Sequence, residues 1–136
     1  MRKVLLTTIT AICFLLVSPT AYGQCDSEDF LDKCSSQLND YKFVKSFESS
    51  EKKEFSYVFS KDHDYVLTVC DQGKAGKMIV NLYDRNHKLV ISSYAKSSKK
   101  HYPTIGYKCT ATGVYYIETV FDNSSGCGVS ILGFKK

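Results

Sequence analysis

The residues equipped for chemistry in this chain are its cysteines, its three histidines and a few carboxylates. His63 lies in the run "DHD" (62–64), which holds residue types that a metal centre uses. Such a centre also needs several converging groups and supporting partners. Asp62, His63 and Asp64 sit between two extended runs and read better as a solvated turn, so no metal and no other cofactor is expected. His87 falls at the tip of "YDRNHKL" (83–89) and His101 follows the basic run "AKSSKK" (95–100), both exposed turn positions. No serine occupies a G-x-S-x-G turn, and there is no Gly-rich phosphate loop. Glycoside hydrolysis needs two facing acids, whereas Glu28, Asp29, Glu48 and Glu51 fall on a helix or at strand ends. Glu118 is the one carboxylate inside a well-patterned strand and is expected to face outward. No catalytic residue is assigned, and the chain reads as a non-enzyme.

The cysteines say more about compartment than about catalysis. Cys13 lies in an apolar leader; Cys25, Cys34, Cys70, Cys109 and Cys127 follow it. None forms the C-x-x-C spacing of zinc or redox sites, so disulfides in an oxidising compartment are expected. Alternating strand direction puts Cys70 and Cys127 at one end of the body. It puts Cys109 at the other end, where the segment carrying Cys34 would enter. The expected bonds are therefore Cys70–Cys127 and Cys34–Cys109, with Cys25 as the free thiol.

The elements that must position these residues begin after an export signal. Arg2 and Lys3 precede an apolar run, Val4 to Val17, and Ala21 and Gly23 supply the small residues of a cleavage site. Residues 1–23 are read as a signal peptide, leaving 113 of 136 residues as one domain. Gln24 before Cys25 argues against lipid attachment. Residues 24–41 read as a helical segment: Phe30, Leu31, Cys34, Leu38 and Tyr41 recur at three- and four-residue steps. From residue 42 to 136 the period is two, in about eight short runs rich in β-branched and aromatic residues. In "GVYYIETVF" the core set is Tyr115, Ile117, Thr119 and Phe121, with Val114, Tyr116, Glu118 and Val120 opposite. Such a series without intervening helices predicts an all-β, antiparallel, jelly-roll-like sandwich with one short N-terminal helix.

"KMIVNLYDRNHKLV" followed by "IGYKCTATGVYYIETVF" resembles the bacterial pre-peptidase C-terminal (PPC) domain, over roughly residues 54–134. The resemblance rests on the aromatic strand Phe55–Phe59, the run Tyr65–Val69, "LYD" at Leu82–Asp84, and Ala111–Ile117. It implies an exported, stand-alone accessory sandwich without catalysis. The chain departs from the family pattern at Lys77 and Asn81, where acidic residues are usual.

The whole chain carries +4, about +2 once the leader is removed, too balanced to imply nucleic acid. Ten tyrosines and eight phenylalanines suit a recognition surface for a protein or a glycan, the lack of tryptophan counting against the glycan. Tyr102, Tyr107 and Tyr116 are expected to be half-buried. The expected function is an exported recognition or accessory protein, periplasmic or extracellular, without a transmembrane segment. The alternatives are a self-associating, homo-oligomeric envelope protein and, behind it, a small hydrolase.

Overall fold

A computed structural model describes residues 28–72, 77–123 and 125–136. The expected signal peptide and Cys25 lie outside them. Helix α1 (Glu28–Ser36) leads into β1 (Lys42–Glu51), β2 (Lys53–Phe59), β3 (Asp64–Thr68), β4 (Cys70–Asp71), β5 (Met78–Tyr83) and β6 (Leu89–Ser92). Then come β7 (Tyr94–Ala95), β8 (Lys100–His101), β9 (Thr104–Lys108), β10 (Gly113–Phe121) and β11 (Ser125–Lys135). Of the eleven strands among the described residues, β4, β7 and β8 are two residues long; the other eight match the alternating runs of the sequence.

Two sheets form the body. One runs β1-β11-β3-β9, with β4 also on β11; the other runs β2-β10-β5-β6. Every pairing is antiparallel. The protein is an antiparallel β-sandwich, as the period-two pattern predicts. Successive long strands mostly cross from one sheet to the other, the β5–β6 hairpin being the exception.

The core between the sheets takes Phe47, Tyr65, Leu67, Ile105 and Leu132 from the first, and Phe59, Met78, Val80, Leu82, Tyr115, Ile117 and Phe121 from the second. Rings carry much of the packing: Phe59 stacks on Tyr65 at 4.0 Å and on Tyr115 at 4.8 Å. Offset pairs of this kind add about 0.5–1.5 kcal/mol to the burial itself. At one end the Tyr115 hydroxyl donates to the Ala111 carbonyl at 2.9 Å and lies 3.3 Å from the Tyr107 hydroxyl. Burial foremost, then the bonds to Tyr107 and Cys109, raises the Tyr115 pKa far above its usual value.

The helix ends sooner than its pattern predicts. Residues 37–41 close in tight turns, with Gln37 N–H on the Cys34 carbonyl and Tyr41 N–H on the Leu38 carbonyl, and Asn39 takes φ 53°. The apolar face of α1 covers the outer side of the five-stranded sheet. Cys34 and Leu38 are buried there with Val66, Cys70, Val129 and Ile131. Gly133 permits the approach, since a Cβ there would come within 2.8 Å of Leu38 and 3.1 Å of Tyr41.

This placement corrects the expected cystines. Cys34 bonds to Cys70, not to Cys109, with Cα atoms 5.9 Å apart. Strand direction does place Cys70 and Cys127 at one end, where Gln72 N–H meets the Cys127 carbonyl. It does not reveal that α1 lies across the face of the sheet rather than at the opposite end. Cys127 is disulfide-bonded too, and the free thiol among the described residues is the buried Cys109.

Candidate functional site

The outer face of the four-stranded sheet is where exposed side chains gather. Register sets them in rows. Val58 on β2 pairs with Val114 on β10. The next row is Ser56, Tyr116, Tyr83 and Leu89, followed by Glu54, Glu118, Asn81 and Ser92, and then by Val120 beside Ile79. Val58 is 57% exposed and Val114 39%, with Phe43 of β1, 56% exposed, at the rim. Beside them a cleft of about 320 Å³ opens between the sheets, lined in part by Phe43, Tyr57, Val58, His63 and Phe134.

The third row is acidic. Glu54 and Glu118 are direct cross-strand partners. Glu118 is largely enclosed, with 15% of its side chain exposed. Its Oε1 accepts bonds from Asn81 Nδ2 at 3.0 Å and the Tyr83 hydroxyl at 3.2 Å. Lys52 stands 3.8 Å from Oε2. Burial first, then the charge of Glu118, raises the Tyr83 pKa and keeps its hydroxyl a donor.

His87 completes the group. The β5–β6 turn is held by Asp84, whose carboxylate accepts from Asn86 and Lys88 N–H. The left-handed residue of that turn is His87, φ 56°, not Asn86, the residue whose type favours it. This conformation lays the imidazole on Tyr116 at 4.0 Å, 3.4 Å from Glu54. Farther along, a groove of about 460 Å³ runs over Ile79, Val120 and Leu89, walled by Tyr94 and Lys96 of the β7–β8 hairpin.

The other sequence candidates are scattered. His63 sits in its expected turn, where Asp62 takes φ 65°, with Nδ1 3.1 Å from the Lys61 carbonyl. His101 is half-buried rather than exposed, its ring tilted against Tyr94 at 4.7 Å in the β7–β8 hairpin, whose tip is the basic run. Tyr102 is exposed rather than half-buried, and Tyr107 and Tyr116 are half-buried as expected. No group of three or more His, Cys, Asp or Glu able to hold a metal occurs among the described residues. Glu54 and Glu118 lie side by side on one face rather than across a cleft, so they cannot bracket a glycosidic bond from two sides. The arrangement can hold a cation and an apolar side chain.

Glu54, Asn81 and Tyr83 carry no sequence signal of a site. Parity placed Glu118 outward, but its partners come from strands far away in the chain, and only the register joins them.

No protein-family model matches the chain, and no curated protein matches it. Among solved structures, the chain is similar to PliG of Aeromonas hydrophila, a periplasmic inhibitor of g-type lysozyme. The TM-score is 0.50 at 8% identity, covering 71% of this chain and 89% of the other. The likeness is one of fold.

Proposed function

We propose that the protein is an exported, non-enzymatic recognition module that binds another protein through the outer face of its four-stranded sheet. The observation that carries this reading is the exposed cross-strand pair Val58 and Val114 on that face, with the exposed Phe43 of the other sheet across the adjoining cleft from Val58. Among the described residues α1 packs on the other sheet and leaves this face open. Exposed apolar patches of this kind mark interaction sites. The Cys34–Cys70 cystine and the apolar leader support an oxidising compartment, periplasmic or extracellular. A sandwich of the same fold serves as a periplasmic enzyme inhibitor, which makes a secreted enzyme such as a lysozyme the first partner to try. Kinship with the pre-peptidase C-terminal domains belongs to the same proposal, on the side of the fold and its accessory role. Among the described residues no helix is long and apolar enough to cross a membrane. Covalent self-association through Cys109 is disfavoured because that thiol is buried.

The test is photo-crosslinking in the native envelope from position 58 or 114, with position 108 on β9 as the control. A discrete adduct with another protein from the first two sites alone is the expected result. Adducts absent from all three, or equal at all three, would refute the reading.

A further inference from the structure

The acidic row is costly in a way the fold does not require. Like charges directly opposite each other on neighbouring strands repel, and Glu54 on the edge strand β2 faces Glu118 on β10. The protein's own basic side chains answer them weakly. Lys52 is 71% exposed and 3.8 Å away, and His87 stands 3.4 Å from Glu54. Glu118 is nonetheless fixed: Asn81 and Tyr83 both hold Oε1, which leaves Oε2 to the distant Lys52. A locally unfavourable arrangement kept rigid in this way is characteristic of a functional site.

We infer that this row is a socket for one arginine side chain of the bound protein, with an apolar neighbour of that arginine in the groove over Ile79, Leu89 and Val120. The inference rests on the protein-binding reading above. Charge complementarity selects the occupant. A guanidinium is planar and offers five donors, enough to bridge two carboxylates, whereas an ammonium is a compact point charge. The His87–Tyr116 stack beside the carboxylates provides a flat wall for such a plane. The cations at the margins decide against a broadly basic partner. Lys52 stands at the acidic row, Lys96 on the far wall of the groove, and Arg85 by Gly113. With Lys88 also exposed in the hairpin, a polycationic surface would meet these cations where a single side chain would not.

The probe is acetyl-Leu-Arg-Leu amide, with twins carrying citrulline or lysine in place of arginine, titrated into the ¹⁵N-labelled protein. The arginine peptide should shift the amides of Glu54, Asn81, Tyr83, Tyr116 and Glu118. The citrulline twin, the lysine twin and the variant Glu118→Gln should each bind about tenfold more weakly, the scale of a lost charge-assisted bond. Each variant's spectrum verifies its fold. Equal binding of arginine and citrulline peptides, equal binding of the lysine twin, retention by the double variant Glu54→Gln/Glu118→Gln, or no shift at this row would each overturn the socket. A Val58→Ser variant should keep peptide binding while losing the cellular adducts formed from position 114. Adducts from position 58 without arginine-dependent shifts would sink the socket and leave the recognition reading standing.

Discussion

The two sheets of this sandwich share a core but have unlike outer faces. The five-stranded sheet hides Val66, Val129 and Ile131 beneath α1 and ties that helix down through Cys34–Cys70. The four-stranded sheet leaves Val58, Val114 and Glu54 in the open beside the largely enclosed Glu118. Both faces have apolar residues at outward positions, so composition does not separate them. What separates them is whether the chain supplies its own cover. Where it does, the apolar residues are core. Where no described residue covers them, they stay exposed.

The sharpest way to break this comparison is to uncover the first face. Replacing Cys34 and Cys70 together by Ala should cost about 4 kcal/mol for a loop of this span, measured as a fall in the urea midpoint. A loss below about 1 kcal/mol would show that the helix adheres without its staple. Leu38→Ala, where the turn after α1 meets Gly133, should cost about 2–4 kcal/mol with its cavity; little change by thermal unfolding would mean that the face is loosely covered.

The core between the faces should show itself at high pH. Tyr115 and Tyr83 have raised pKa values, Tyr115 through burial and its bonds, Tyr83 through burial and Glu118. Above pH ~10 the unfolded chain releases these protons while the native protein retains them, so stability is full below that pH and declines above it. Tyr115→Phe should flatten that decline relative to wild type in denaturant titrations from pH 9 to 11; parallel curves would mean that Tyr115 contributes nothing to it.

On the open face the expected effects are small. Glu54→Gln relieves the like-charge row and should raise the unfolding midpoint, by about 0.2–1 kcal/mol. A clear destabilisation would show that the row is a structural network rather than a strained socket. Val58→Ser should change stability by less than about 0.5 kcal/mol, with the loss confined to adducts crosslinked from position 114.

The alternation of Tyr115, Ile117, Thr119 and Phe121 against Val114, Tyr116, Glu118 and Val120 is a local property, and both faces of β10 follow from it. The same holds for Phe59, Leu67, Val80 and the other core strands, because side-chain direction in a strand depends only on parity. The helix was legible in its three- and four-residue spacing, although its length was not, since Asn39 and the turns after Ser36 end it by backbone geometry.

The chain alone therefore determined the extended sandwich, the helix and which residues of each strand point inward. It did not determine that Cys34 meets Cys70, that Cys109 is left free, or that Glu54 faces Glu118 under His87. These are pairings between segments well separated along the chain, chosen by the packing of a whole helix on a sheet and by strand register. Parity and spacing act within a run of a few residues, whereas register and docking are set by the summed burial of many, which only the assembled molecule expresses.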